Sequence, residues 1–248
     1  MEHVRLEEAD GVAVVTLVDR ERRNAMTAAM VLEIVETFDR LEGSESVGAV
    51  VVTGEAPAFC SGADVSSLGA MARPSAEPGE RANIVSIYEG FLRVLRSPLP
   101  TIAAVNGPAV GAGMNLALAC DIRVVGTSGR FDARFLQIGL HPGGGHTWML
   151  DRLVGPQTAA AIVLFGERVD GERAVEVGLA WSCHPDDELI AAARILAAKG
   201  ARVPRPLMAR TKQTLREVPW QPSFDAALAT EVEHQTWSLT QGWFTRPG

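Results

Sequence analysis

No stretch of the 248-residue chain approaches the roughly 18–20 consecutive apolar positions that a membrane-spanning helix requires. Positive charge is also in short supply. Thirty acidic against 23 basic residues leave a net charge of −7, which excludes a general nucleic-acid binder, because phosphate binding needs a basic face. Cysteine is scarce, and Cys60, Cys120 and Cys183 stand far apart with no metal-ligand spacing, as expected of reduced thiols. The opening MEHVRLEEADG lacks the basic and apolar segments of a signal or transit peptide. There is no strict internal repeat and no low-complexity tract. These absences predict a cytosolic (cytoplasmic) protein with neither a membrane nor a nucleic-acid partner.

What is present suits one sizeable core: 47% of the residues are hydrophobic. Val12–Val18 and Ala49–Thr53 read as buried strands, and so do Thr101–Val105 and Arg123–Val125. Between the first two, Met30, Ile34, Phe38 and Leu41 recur at helical spacing behind Thr27 as N-cap. Gly69–Glu80, with Pro74 and Pro78, reads as a mobile surface loop. Ile84, Ile87, Tyr88, Phe91, Val94 and Leu95 then mark an amphipathic helix stopped by Pro98 and Pro100. Beyond Thr147 the pattern turns helical, with helices predicted over Trp148–Leu164, Gly171–Val177, Asp186–Lys199, Pro206–Glu217 and Ser223–Leu239. Asp186 and Asp187 suit a helix start. The fold class is α/β, with an α/β core over residues 1–190 and a helical C-terminal region over residues 191–248.

The stretch Ala104–Asp121, AVNGPAVGAGMNLALACD, carries the chemistry. An apolar strand runs through small residues into a helix start, where backbone N–H groups lack intrahelical partners. Glycine and alanine let a ligand approach that backbone closely. The arrangement suits an anion that develops during a reaction.

Three further motifs stand in order around it: ERRNAM (Glu21–Met26), AFCSGADV (Ala58–Val65) and IGLHPGGGHTWMLDRLVG (Ile138–Gly155). With Ala104–Val125 this set resembles the enoyl-CoA hydratase/isomerase (crotonase) superfamily over about two-thirds of the chain, and ARTKQTLRE (Ala209–Glu217) fits the family's tail. The resemblance implies a spiral of ββα units with a helical trimerisation region, a homotrimer or dimer of trimers, and an acyl-CoA thioester substrate. It implies no cofactor beyond the CoA moiety and no metal. It further implies that the backbone N–H groups of Ala63 and Ala112 hold the thioester oxygen as an oxyanion hole. Arg22 and Arg23 lie where the family often has a basic residue near the CoA phosphates; alternatively they form a solvated cluster with Glu21. Asp64, beside Ala63, reads as a cap or brace of the turn or else as a base, and with Ala63 is placed among the CoA-binding residues.

The pattern breaks at the acid–base positions. Where a hydratase of this family carries its two water-activating glutamates, this chain has Asn115 and Phe135. Asparagine orients water but does not accept a proton at neutral pH, and phenylalanine does neither. Two substitutes offer themselves. Asp132 either reaches the acyl end or pairs with Arg130 or Arg134; His141 either exchanges protons in the pocket or braces a tight turn. His146 reads as a structural or interface residue near a helix start. The aromatic stripe Trp220, Phe224, Trp237, Trp243 and Phe244 reads as helix packing or a subunit interface. Cys60 is expected to be buried beside the turn, and Ser61 has no base at a suitable spacing. The reading is an acyl-CoA enzyme stabilising a thioester enolate, with hydration, isomerisation, decarboxylation and hydrolysis open. Its rivals are a non-catalytic acyl-CoA binding or carrier protein and a purely structural oligomer.

Overall fold

Near-continuous apolar runs are what strands need when both faces of their sheet are covered. The computed structural model describes residues 1–64 and 78–244. Its larger sheet contains β1 (Val4–Ala9), β2 (Val12–Leu17), β3 (Ala49–Gly54), β4 (Thr101–Val105), β6 (Ile122–Gly126) and β9 (Ser182–His184), in that spatial order. β1 is antiparallel to β2, and the pairing from β2 through to β9 is parallel. β5 (Pro108–Val110), β7 (Arg130–Asp132) and β8 (Val169–Asp170) make a second sheet of three strands. The four expected strands fall within a residue of β2, β3, β4 and β6. The others escape a sequence reading because β5, β7, β8 and β9 are too short to show a period. β1 is an edge strand that exposes Arg5, Glu7 and Glu8.

Alternating strand residues feed two apolar layers. Ala13, Val15, Val50, Val52, Ala103 and Val105 join Phe38, Phe91 and Leu116 in one. Val14, Val51, Ile102 and Val124 join Leu189, Ala193 and Ala197 in the other. Each fully buried phenylalanine contributes about 1.5–3 kcal/mol. The first layer is covered by α1 (Ala28–Gly43), α2 (Pro78–Arg96) and α3 (Ala112–Ala119). As expected, Thr27 caps α1, its hydroxyl accepting from the Met30 N–H at 3.2 Å. The expected loop at Gly69–Glu80 lies outside the described residues except for Pro78–Glu80, which open α2.

Further along come α4 (His146–Leu164), kinked at Gly155–Pro156, then α5 (Gly171–Glu176) and α6 (Leu189–Ala201). The expected boundary at residue 190 falls within α6, whose Leu189, Ala193 and Ala197 cover the second layer. Asp186 and Asp187 do not open α6, contrary to expectation. The Asp186 carboxylate instead accepts from the Ser128 N–H at 2.9 Å and its hydroxyl at 2.5 Å. Those bonds hold its pKa below the usual carboxylate value, and the helix begins three residues later.

The C-terminal region is helical, with α7 (Arg205–Glu217), a 3₁₀ turn at Val218–Trp220 and α8 (Phe224–Leu239). Asp121, at the end of the glycine-rich stretch, pairs with Lys212 of α7 at 2.6 Å and with Arg216 at 3.0 Å. The Arg152 guanidinium sits between the rings of Trp148 and Trp220, 4.3 and 3.3 Å from their centroids. Trp237 meets Trp243 edge-on, while Phe224 is 77% exposed. The aromatic stripe therefore divides between helix packing and open surface. Among the described residues no helix is long and apolar enough to cross a membrane.

Candidate active site

β4 ends at Val105, the chain turns at Asn106–Gly107, and β5 delivers it to Gly111 and the start of α3. β5 also draws in the second small-residue segment. The Val110 N–H donates to the Cys60 carbonyl at 3.0 Å, and the Cys60 N–H donates to the Pro108 carbonyl at 3.2 Å. Close contact here demands glycine. A Cβ on Gly113 would strike the Cys60 carbonyl, and one on Gly62 would come within 2.6 Å of the Val110 carbonyl and 3.5 Å of the Ala112 nitrogen. Ala63 and Ala112 accordingly line one cavity of about 220 Å³. Ala112 opens α3, so its N–H has no intrahelical acceptor and stands at the positive end of the helix dipole.

The remaining lining is largely apolar, with Ile87 and Tyr88 from α2 and with Val110, Phe135, Ile138 and Leu140. Cys60 is buried beside the turn, and burial pushes its thiol up to about 12. Ser61 donates its hydroxyl to the Arg22 carbonyl at 2.7 Å.

The expected site residues separate into those at the cavity and those away from it. Asn115 and His141 line it with Ala63 and Ala112. Asn115 is buried and donates Nδ2–H to the Gly143 carbonyl at 3.0 Å. His141 is exposed, with Nδ1 2.7 Å from the Pro142 carbonyl. A carbonyl only accepts, so that nitrogen carries a proton, and Nε2 is the ring nitrogen left for exchange. Asp132 is not among the lining residues. Its buried carboxylate takes Arg134 Nη2 at 2.6 Å and Arg168 Nε at 3.0 Å, so it anchors two guanidiniums. The bond to Asp132 raises the Arg134 pKa.

Arg22 and Arg23 are exposed. Arg22 pairs with Asp19 at 3.3 Å, not with Glu21, and the Arg23 carbonyl accepts the Ser61 N–H at 3.0 Å. Both therefore stand at the turn that leads to Ala63. Asp64 follows that residue, half-buried.

His146, read from the sequence as a structural or interface residue near a helix start, lies behind the cavity and is not among its lining residues. It opens α4 fully buried, its Nδ1 2.6 Å from Asn115 Oδ1 and its ring edge-on to Phe135 with centroids 5.0 Å apart. Burial pulls its pKa down to about 4. The sequence signal for its contact with Asn115 was the three glycines before it. Gly144 has φ +66° and would place a Cβ against Phe91 and 3.2 Å from Asn115 Nδ2, so only glycine brings this helix start against Asn115. No group of three or more metal-ligating side chains occurs among the described residues.

Comparison with known proteins gives consistent matches. The family model described as enoyl-CoA hydratase/isomerase matches residues 7–237. A Mycobacterium tuberculosis protein named "Probable enoyl-CoA hydratase EchA14" is 51% identical over 205 residues, covering 83% of this chain and 78% of its own length. A "Probable enoyl-CoA hydratase" of Rhodobacter capsulatus is 38% identical over 239 residues, covering 92% and 89%. The crystal structure of an enoyl-CoA hydratase from Polaromonas sp. JS666 superposes with a TM-score of 0.89 at 28% identity, covering 96% of this chain and 92% of that one.

Proposed function

The chain belongs to the enoyl-CoA hydratase/isomerase (crotonase) family, and from that premise we propose that it stabilises a thioester enolate between the backbone N–H groups of Ala63 and Ala112. The observation that carries this reading is the meeting of the two small-residue segments on one cavity. Charge developing on the thioester oxygen would find two donors already in place, each typically contributing on the order of 10²–10³ in rate. The reaction draws on no cofactor beyond the CoA moiety. Arg22 and Arg23, exposed at the turn that leads to Ala63, suit the CoA phosphates through paired donors.

Proton handling falls to His141, whose Nε2 is left for exchange, with Asn115 orienting the acyl group. Among the described lining residues there is no carboxylate. General acid–base help is typically worth about 10²–10⁴, so conventional hydration is impaired, and isomerisation, decarboxylation, hydrolysis or an unusual hydration are the reactions to assay. That same observation favours a second reading, a non-catalytic acyl-CoA carrier. We also propose that the exposed Phe165, Trp181 and Phe224 mark contacts between copies in a homotrimer or dimer of trimers, to be checked by light scattering.

The test is turnover on a panel of enoyl-, malonyl- and hydroxyacyl-CoA thioesters, with calorimetric binding of the same compounds to wild type and His141→Ala. Turnover lost in the variant with binding kept supports the enzyme. Binding without turnover in either form supports the carrier, and no CoA affinity defeats both.

A further inference from the structure

Tyrosine occurs once in the sequence, and Tyr88 stands on the wall of the cavity that holds Ala63, Ala112 and Asn115. Its place is fixed from both sides. The ring packs on Phe91, one turn along α2, with centroids 5.6 Å apart. A Cβ on Gly143 would strike the Tyr88 hydroxyl, and one on Gly144 would strike Phe91, so the glycine turn is shaped around this pair. The Gly143 carbonyl also holds Asn115 Nδ2, which puts the phenol and the amide at the same end of the cavity.

Packing alone does not call for the oxygen, because phenylalanine would rest on Phe91 equally well and leave Gly143 more room. A buried tyrosine ordinarily finds a partner for its O–H. The Tyr88 hydroxyl has none among the described residues. Burial pushes its pKa above the usual tyrosine value, so it keeps its proton at neutral pH. The cavity thus contains a neutral, unpaired O–H donor where no described lining residue is a carboxylate. Asn115 does not supply a proton, since its amide does not ionise at neutral pH, and His141 is exposed to solvent. At about 220 Å³ the space lies below the about 300–1,000 Å³ of ordinary ligand pockets, so an acyl group held in it meets its walls.

We propose that Tyr88 is the acid that delivers a proton to the α-carbon of the thioester enolate. This rests on the acyl-CoA reading above and adds a donor to the exchange assigned there to His141. The Tyr88 O–H bond breaks as the enolate's electron pair makes the new bond from the α-carbon to hydrogen. The thioester carbonyl is restored at the Ala63 and Ala112 N–H groups, and the tyrosinate takes a proton back from water. A carbon acid beside a thioester is far weaker than a phenol, so transfer runs downhill even from a tyrosine that ionises late.

The test uses crotonyl-CoA and methylmalonyl-CoA, whose products gain an α-hydrogen by hydration and by decarboxylation. In D2O that hydrogen is deuterium, and wild type is expected to set it in one configuration, because the donor stands on one face. Tyr88→Phe keeps the packing and loses the donor. Turnover should fall by about 10²–10⁴ with KM within about threefold, and the residual product should carry deuterium in both configurations. Replacing the single tyrosine by 3-fluorotyrosine gives one fluorine resonance, which should shift on saturation with butyryl-CoA. A loss under about tenfold in Tyr88→Phe, an unchanged single configuration in that variant, a mixed configuration in wild type, or a resonance unmoved by bound butyryl-CoA overturns the proposal. Binding without turnover overturns it too, and leaves the acyl-CoA reading standing. The wild-type configuration and the fluorine shift do not depend on any variant folding. No affinity for any of the three thioesters instead overturns the acyl-CoA reading beneath it.

Discussion

One side of the cavity, Gly62–Ala63 with Gly111–Ala112, offers backbone; the other, Asn115, Phe135 and His141, offers side chains. The backbone side needs only small residues and a fixed chain path. Its donors are the same whichever small side chain hangs from them, so it tolerates little change in shape and much in chemistry. The side-chain side is the reverse, because its chemistry depends on which group each position carries. The comparison teaches that, in the proposed function, anion stabilisation and proton transfer would be separable, the first held by packing and the second open to replacement.

The comparison breaks most sharply at Ala112. Proline is tolerated at the first position of a helix, so Ala112→Pro should keep the fold while deleting one donor. Turnover on the best thioester of the panel should fall by about 10²–10³, with an unchanged circular dichroism spectrum. A loss under threefold would show that the backbone side is only a tight turn. Next in size is Gly113→Ala, which drives a Cβ into the Cys60 carbonyl. It should cost about 2–3 kcal/mol, a fall in Tm of roughly 4–12 °C by calorimetry.

On the side-chain side, His146 links stability to pH. Its folded pKa of about 4 lies below the ordinary 6.5, so the neutral ring is favoured by the native state. Above pH 6.5 both states are neutral and nothing is lost. As pH falls from 6.5 toward 4 the unfolded chain takes up the proton and stability declines. Between pH 7.5 and 5 this amounts to about 2 kcal/mol, measured as the extra loss in urea unfolding of wild type over His146→Asn. Parallel pH profiles for the two proteins would show that the ring is not held neutral.

The smallest effect is expected at Asp132, which pairs with arginines and does not line the cavity. Asp132→Asn should lower stability by about 1–2 kcal/mol, because two guanidiniums lose their shared anion, and should change turnover less than threefold. A hundredfold loss of turnover with intact stability would move Asp132 into the chemistry.

The long elements were legible because their signals are local. Val12–Leu17, Ala49–Gly54 and Thr101–Val105 are continuous apolar strands, and α1 shows its period behind a capping threonine. Asp186 misled because its carboxylate reached a distant backbone group, Ser128, in preference to the nearby helix end. Asp132 and His146 were ambiguous for the same reason. An aspartate beside arginines and a histidine after glycines each allow several partners, and no spacing rule chooses among them.

By itself the sequence determined four strands of the larger sheet, the run of helices and the two small-residue segments, while the reading of Asn115 and Phe135 as glutamate positions came from the family resemblance. The first three follow from propensity, period and residue identity, which act over a few neighbours. Only the tertiary structure decided that Gly62 lies against Ala112, that Asp132 belongs to Arg134 and Arg168, and that His146 holds Asn115. Each of these is a contact between groups brought together by burial, where a polar atom must take whichever partner the packing places within reach.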